Sequence, residues 1–153
     1  MPSFHRFVLI LNRCSNLFRA ERTPNEELPP YLQTYILPIC GTPGMSQDQL
    51  AKLMFINKSN VARHLAALEK SGYVERRQNE EDRRVTNVFP TERAFAAREE
   101  LIQGIREWNS YIMGEFSEEE AATFYSMLSR AADRAAAYAD RRFEADEKRE
   151  DSQ

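Results

Sequence analysis

With 153 residues, of which 42% are hydrophobic and 29% charged, the chain has the size and the balance of a single globular domain. Its longest apolar stretch near the N-terminus spans residues 7–11. This is too short for a membrane span or a signal-peptide core, so we expect a cytoplasmic protein with no membrane partner. Two cysteines and two histidines are too few for a disulfide scaffold or a structural zinc site, and the sequence holds no cofactor-binding loop or nucleophile–base pair that would indicate an enzyme.

The net charge of −3 is unevenly distributed along the chain. Residues 57–84 contain seven lysines or arginines and five acidic residues, which gives this segment a charge of +2, whereas the remainder carries −5. A basic segment on an acidic body is compatible with DNA binding that depends on docking geometry as well as on bulk charge.

The first twenty residues carry apolar side chains at helical spacing, which predicts a helix over residues 4–19 with a broad stripe that must be buried. The stripe consists of Phe4, Phe7, Val8, Leu11, Cys14, Leu17 and Phe18. Residues 23–25, Thr-Pro-Asn, predict a break in the chain. Pro29 and Pro30 suit the first turn of a second helix, which we expect to continue over residues 31–37 and to end at Pro38.

Ser46 and Gln49 have the spacing of a capping box, which predicts a short helix that reaches Met54. A connection over residues 55–57 leads to the next predicted helix, residues 58–71, with Gly72 at its C-terminal cap. On a helical wheel this next helix has an apolar arc and an opposite, mostly polar face. The arc consists of Val61, Leu65 and Leu68, and the opposite face consists of Ser59, Arg63, Ala67 and Lys70.

Two short β-like segments, residues 73–78 and 85–89, flank the polar run 79–84 and predict a hairpin with a charged tip, which we call the wing. Thr91 is the expected N-cap of a long helix that reaches Met113, and Ser117 opens a last helix with a second capping box. We expect the charged chain to fray from Asp140 onward. The apolar positions of the last helix are Phe124, Met127, Leu128, Ala131, Ala135 and Tyr138.

A short capped helix, a tight connection and an outward-facing helix make a helix-turn-helix, and the wing follows directly. We expect the helix to enter the major groove and the tip arginines to reach the minor groove, whose negative potential attracts arginine. The predicted DNA contacts are Ser46, Asn57, Lys58, Ser59, Asn60, Arg63, His64, Arg83 and Arg84. His64 is equally well placed to pack beside Leu68, and Asp82 is expected to brace the wing by pairing with a nearby arginine.

The segment from Gln49 to Thr91 resembles the MarR family of winged helix-turn-helix regulators. The resemblance depends on Gln-Leu-Ala at 49–51, Asn-Lys-Ser-Asn-Val at 57–61, Leu-Glu-Lys-Ser-Gly-Tyr-Val-Glu-Arg at 68–76, Glu-Asp-Arg-Arg at 81–84 and Phe-Pro-Thr at 89–91. The order of the predicted elements extends it to nearly the whole chain, although the family often has a small residue where this chain has Phe55.

This resemblance implies a mainly α fold with a small β-hairpin wing, in which a winged helix-turn-helix lobe joins a helical dimerisation region. It implies one domain over residues 1–153, with the lobe at 28–90, dimerisation helices at 1–22 and 91–145, and a charged tail at 146–153. It further implies a sequence-specific transcriptional regulator, expected to be a repressor, that binds double-stranded DNA as a homodimer on a palindromic operator. Release by a small-molecule effector is an additional property that the resemblance suggests.

Four aromatic residues, Tyr31, Tyr35, Trp108 and Tyr111, could line a pocket for a small aromatic effector between the second and fifth helices, although aromatic residues at helical spacing are more often core. MarR-like proteins also include peroxide sensors with a cysteine near the first helix. The mid-helix, apolar setting of Cys14 favours a buried, inert thiol, whereas we expect Cys40 near the surface.

A second function stays open, a winged-helix dimerisation or protein-interaction module without sequence-specific DNA binding. The acidic residues 80–82 of the wing and the net charge of −3 support this alternative. A protein-docking surface would not require a basic residue at both the helix face and the wing tip, so Arg63 and Arg84 favour DNA.

Overall fold

The computed structural model describes residues 3–22 and 27–150, with side chains described as far as residue 143. The expected break at 23–25 and residues 151–153 of the charged tail lie outside the described residues. The elements in chain order are α1 (Phe4–Arg22), α2 (Pro30–Gly41), β1 (Met45–Ser46), α3 (Gln47–Met54), α4 (Lys58–Lys70), β2 (Val74–Gln78), β3 (Thr86–Pro90), α5 (Glu92–Met113) and α6 (Glu118–Glu150).

The architecture is mainly helical with one small antiparallel sheet, as the sequence predicts. The sheet has three strands in the order β1-β3-β2, so the wing hairpin is extended by the two-residue strand that precedes α3. Asn87 in the central strand lies opposite both Ser46 on β1 and Arg77 on β2. The helix-turn-helix is therefore joined to the wing through the sheet as well as through the chain.

The caps that the sequence predicts are present in the structure. Ser46 and Gln49 form a reciprocal capping box on α3, and Thr91 accepts a hydrogen bond from the Ala94 N–H at the start of α5. Ser117 Oγ accepts from the Glu120 N–H at 3.2 Å, and the Glu120 carboxylate accepts from the Ser117 N–H at 2.8 Å. These caps bond groups that have no partner within the helix, which is why they mark helix starts.

Three expectations about element boundaries are wrong. Pro38 lies inside α2 instead of ending it, because burial of Ile39 and Cys40 in the next turn holds that turn helical despite the missing N–H. Strand β1 was not expected from the sequence, because its pairing with β3 depends on residues more than forty positions away. Finally, α6 continues past Asp140 to Glu150, in a stretch rich in glutamate and arginine, both of which have high helix propensity.

The hydrophobic core lies in the middle of the chain. Its fully buried apolar residues all fall between Leu28 and Leu101, and they come from α2, α3, α4, the sheet and the first half of α5. By contrast, α1 buries no residue fully, nor does the described part of α6 as far as residue 143. Among the helices of the described ranges, none combines the length and the apolar character needed to cross a bilayer.

Candidate DNA-binding interface

Helix α4 is fixed on one side by the core and is open on the other. Val61, Leu65 and Leu68 are fully buried, as the helical wheel predicts. The helix begins at Asn57, whose Oδ1 accepts hydrogen bonds from the Asn60 N–H at 2.8 Å and from Ser59 Oγ at 3.0 Å. Asn57 and Ser59 thus organise the first turn of α4 while remaining exposed to solvent.

The turn before α4 has an unusual backbone. Phe55 adopts the left-handed conformation, with φ 55° and ψ 38°, and ends α3. The left-handed region is energetically unfavourable for most residues that carry a side chain. A small residue, which the family often has here, would therefore fit this position better than Phe55. The Phe55 N–H donates to the Lys52 carbonyl at 3.2 Å, and the Ile56 N–H donates to the Ala51 carbonyl at 3.0 Å, so the turn is nevertheless closed.

The exposed side of α4 carries an arginine that its own helix holds in place. Arg63 Nη2 donates to Asn60 Oδ1 at 2.9 Å, one turn earlier on the same face. Lys58 forms an ion pair of 3.2 Å with Asp48 on α3, and both side chains are more than half exposed. The first turns of α3 and α4 therefore present polar and charged groups side by side.

His64 lies on the inner side of this surface, between α4 and α2. Its Nδ1 is 2.8 Å from Tyr35 Oη, and its ring is tilted against that of Tyr31, with a centroid distance of 5.3 Å. Burial, followed by the charge of neighbouring Arg63, lowers the pKa of His64. The structure thus gives His64 packing contacts with two tyrosines of α2.

The wing tip is closed by side-chain amide and carboxylate groups that accept from the backbone. Asn79 Oδ1 accepts from the N–H groups of Glu81 at 2.9 Å and Asp82 at 3.0 Å. Asp82 Oδ1 accepts from the Arg84 N–H at 2.9 Å, so its contact is with the main chain of an arginine and not with a guanidinium. Arg83 and Arg84 both lie exposed at this tip.

The wing tip and the first turn of α3 enclose a small hollow of about 100 Å³. Arg84 and Ser46 both line it, so the structure brings together the wing and the helix-turn-helix residues that the sequence predicts as DNA contacts. The remaining lining residues are Gln47, Asp48, Val85 and Thr86.

Two interactions that position this surface were missed from the sequence. The Glu69 carboxylate accepts from Arg76 N at 3.0 Å, Nε at 3.0 Å and Nη2 at 2.7 Å, which attaches the end of α4 to β2. On the outer wing, the Arg77 guanidinium lies 4.6 Å from the centroid of the Phe89 ring. The Glu69–Arg76 interaction could have been predicted from the Leu-Glu-x-x-Gly run, which contains Glu69. A carboxylate just before a strand rich in arginine is well placed to form an ion pair.

The four aromatic residues of the predicted effector pocket fall into two groups. Tyr31 and Tyr35 surround His64, and Tyr35 is fully buried. Trp108 instead contacts Phe18 of α1 and Tyr111, and Tyr111 is 80% exposed.

Both cysteines depart from expectation. Cys14 is exposed, as is most of the apolar stripe of α1 in the single chain, whereas Phe18 at the end of the stripe contacts Trp108 of α5. Cys40 is buried in the last turn of α2, and this burial raises the pKa of its thiol.

Comparison with known proteins places this geometry in a family. Residues 38–86, which run from the end of α2 into β3, match the MarR family model. The chain is 24% identical over 128 residues to the HTH-type transcriptional regulator BilQ of Clostridium symbiosum, and the match covers 84% of this chain and 89% of BilQ. Other relatives match over less of their length, between 55% and 64%.

Solved structures extend the likeness to nearly the whole chain. The crystal structure of MarR superposes with a TM-score of 0.79 and 27% identity, and the match covers 90% of this chain and 93% of MarR. A MarR family transcriptional regulator from Listeria monocytogenes, complexed with 26mer DNA, has the same fold at a TM-score of 0.77 and 22% identity, and the match covers 91% of this chain and 93% of that one. In fold and in these sequence matches, the chain resembles the MarR family of winged helix-turn-helix transcriptional regulators, whose family model it matches over residues 38–86.

Proposed function

We propose that this regulator binds a palindromic operator in duplex DNA as a homodimer, with one winged lobe on each half-site, and that it represses transcription. The observation that carries the proposal is the presence of two exposed arginines, Arg63 on the face of α4 that points away from the core and Arg84 at the wing tip, beside the first turn of α3. The Listeria relative of the same fold, which is complexed with 26mer DNA, supports DNA binding.

In this proposal α4 reads the major groove. One side of the helix is anchored by fully buried Leu65, and the other offers Ser59 and Arg63, so the helix can enter the groove without moving the core. Asn60 holds the Arg63 guanidinium in advance, which lowers the entropy lost when that guanidinium contacts a base edge. Ser46, Asn57 and Lys58 lie at the first turns of α3 and α4, where contacts to the phosphate backbone position a protein on DNA.

The wing supplies the second contact. Arg83 and Arg84 would enter the minor groove, where readout is degenerate and follows groove width and A·T content. Asp82 would stay off the phosphates, because its carboxylate is engaged with the Arg84 N–H. Its expected bracing role therefore acts through the backbone that carries Arg84.

A second copy of the chain is the proposed cover for the apolar faces of α1 and α6. Phe4 on α1 is 67% exposed, and Met127 and Tyr138 on α6 are each 63% exposed. Apolar helix faces that are exposed to this extent are normally covered by a partner. This assigns dimerisation to residues 1–22 and 91–145 and DNA binding to residues 28–90. Two-fold symmetry then requires inverted-repeat sites with half-site centres about 10 bp apart.

The decisive experiment is selection of random duplex DNA by the purified protein, followed by titration of the selected site over a range of salt concentrations. Arg63→Ala should weaken binding by about 1–3 kcal/mol per half-site and relax specificity at one position. Arg84→Ala should weaken binding to all related sites by similar amounts. It should also make the slope of log binding constant against log salt concentration, the salt slope, shallower by about one unit for each phosphate that is no longer neutralised. Lys52→Ala, which removes an exposed positive charge near the C-terminal end of α3, outside the predicted DNA contacts and the dimerisation segments, is the control and should change neither.

The alternative function, a protein-interaction module, gives the opposite results. Selection would then enrich no duplex above the background, and the variants of Arg63 and Arg84 would bind DNA like the control variant. Sedimentation that shows a stable monomer at micromolar concentration would remove the homodimer and with it the reason for a palindromic site.

We also propose that a small aromatic effector acts at Tyr31, Tyr35, Trp108 or Tyr111. The supporting observation is the exposed ring of Tyr31, which lies against His64 on the DNA-reading helix. With 4-hydroxybenzoate as the probe, DNA should be released from the wild type, and Tyr31→Ala should abolish that release. Equal release from both proteins would exclude Tyr31 from the effector site.

A further inference from the structure

The wing is connected to the helix-turn-helix by a chain of hydrogen bonds between side-chain amides. Asn79 at the base of the tip donates through Nδ2 to Asn87 Oδ1 at 3.0 Å. Asn87 in turn donates through its own Nδ2 to the Gly44 carbonyl at 2.6 Å. Gly44 directly precedes β1, which leads into the capping box of α3, so the chain runs from the wing tip to the start of the helix-turn-helix.

The chain has a fixed direction because each amide uses both of its ends. Asn79 Oδ1 is occupied by two N–H groups of the tip, so only its Nδ2 points along the chain. Asn87 must therefore accept at Oδ1 and donate at Nδ2, and a flipped amide would set two acceptors against each other at Gly44. Such a directional chain specifies one orientation of the tip relative to β1.

The backbone around Gly44 reinforces this orientation. Its N–H donates to the Val88 carbonyl at 2.8 Å, and its φ of +86° suits glycine. A Cβ at this position would lie 3.1 Å from the Phe89 ring, so the sheet packs tightly where Asn87 reaches across. Strand β1 is thus held by Gly44, by its pairing with β3 and by Asn87.

We infer that Asn87 is a positioning residue for DNA binding, which sets where the wing places Arg84 relative to α3 and α4. The inference rests on the proposed function, in which Arg84 contacts the minor groove. Asn87 lies on the central strand and itself touches no DNA in this mode of binding. It acts through Asn79, which closes the tip, and through Asp82, which holds the Arg84 N–H.

The first test replaces Asn87 with alanine in the full chain and measures the tip without DNA. Amide hydrogen exchange of Glu81, Asp82 and Arg84 should become several-fold faster in Asn87→Ala, because the bonds that protect these groups lose their anchor. Ile39→Val, a mild core change far along the sequence from the wing, is the stability control and should leave exchange at the tip unchanged.

The second test measures the salt slope of binding to the selected duplex. Asn87→Ala should show the shallower slope of Arg84→Ala, and the double variant should be no shallower than either single variant, because both remove the same contact. A merely structural role would lower stability, as Ile39→Val does, and leave the slope at its wild-type value.

A conservative variant tests the bond between Asn79 and Asn87 from its other end. Asn79→Asp keeps the acceptor for the two tip N–H groups but loses the donor to Asn87, so it should reproduce both the faster tip exchange and the shallower salt slope of Asn87→Ala. Gln78→Glu adds the same charge one residue earlier and corrects for electrostatic repulsion from DNA.

The outcomes distinguish the inference from the function on which it rests. If Arg84→Ala has the shallow slope but Asn87→Ala keeps wild-type exchange and slope, the positioning role is overturned and the proposed wing contact stands. If Arg84→Ala itself binds like wild type at every salt concentration, the wing contact fails, and the role of Asn87 in DNA binding fails with it.

Discussion

Replacing Glu69 with alanine tests how firmly α4, the proposed DNA-reading helix, is attached to the wing. Glu69 lies near the C-terminal end of α4 and accepts three hydrogen bonds from Arg76, one from the backbone and two from the guanidinium. The Arg76 side chain is 28% exposed and that of Glu69 is 38% exposed, so the pair is partly shielded from water. The neighbouring pair Glu75–Arg77, at 57% and 62% exposed, provides a matched comparison on the same strand.

The size of the effect follows from charge and exposure. A hydrogen bond to a charged group contributes about 1.5–3 kcal/mol when shielded, whereas an exposed ion pair contributes about 0–1 kcal/mol. The partial exposure of Glu69 places its coupling to Arg76 between these limits, at about 1–2 kcal/mol. This corresponds to a loss of about 2–8 °C in Tm for a chain of this size. The coupling of Glu75 to Arg77 should be at most about 0.5 kcal/mol.

The pH dependence gives a second readout. The side-chain hydrogen bonds from Arg76, together with its backbone N–H and its charge, lower the pKa of Glu69 below its usual value of 4.5. A carboxylate whose pKa is lowered on folding stabilises the fold fully above its unfolded pKa. This stabilisation is lost as the pH falls through the lower folded pKa. The difference in the free energy of unfolding between wild type and Glu69→Ala should therefore be constant near neutral pH and become smaller below about pH 4.5.

Urea denaturation of the two double-mutant cycles, at one fixed protein concentration, measures both quantities. Fixed concentration matters because self-association adds to the measured stability. A coupling energy for Glu69–Arg76 no larger than that for Glu75–Arg77 would refute the reasoning. So would a stability gap that stays unchanged down to pH 3.

Three further outcomes are expected from the same structure. Gly72→Ala should cost about 1 kcal/mol in urea denaturation because its φ is +73°, and Gly44→Ala should cost more because its Cβ would also meet a ring at 3.1 Å; equal costs would contradict the packing argument. Because the pKa of His64 is lowered in the folded state, neutral His64 contributes fully to stability above about pH 6.5, and this contribution is lost as the pH falls through the folded pKa. His64→Phe should therefore remove this part of the dependence of stability on pH. In Cys14→Ser, the remaining thiol of Cys40 should react with a thiol reagent only on unfolding, and rapid labelling of the native variant would contradict its burial.

The sequence predicts most of the fold because its signals are local. Capping side chains such as Ser46 and Thr91 bond groups three residues away, so their spacing is visible in the chain itself. The wheel of α4 separates Leu65 from Arg63 for the same reason. Pro38 gives a wrong prediction because its local preference to end a helix is outweighed by the burial of the residues around it. That burial cannot be inferred from the neighbouring residues in the sequence.

In the candidate site, too, features that depend on nearby residues can be predicted from the sequence, whereas contacts between distant residues cannot. Arg63 and Arg84 are predicted as DNA contacts from periodicity and from the position of the hairpin, and their exposure in the structure agrees with that prediction because both signals depend on residues close in sequence. The bond from Asn87 to Gly44 joins residues 43 positions apart, and the contact of Tyr35 with His64 joins residues 29 apart. Such contacts depend on how the elements pack, so the groups that orient the predicted DNA contacts emerge only from the structure.

The junction between the lobe and α5 determines how a movement of the dimerisation helices would reach the DNA. Arg93, in the first turn of α5, donates to the carbonyl of Ser71, the C-cap of α4, at 2.6 Å, and its guanidinium lies 4.5 Å from the Tyr73 ring centroid. Thr91 Oγ1 donates to the Gly72 carbonyl at 2.7 Å, only two residues before Arg93. Because these contacts join the start of α5 directly to the end of α4, a rotation of α5 must turn α4 unless the contacts break. In the proposed homodimer, the angle of α5 would then set the spacing of the two half-sites.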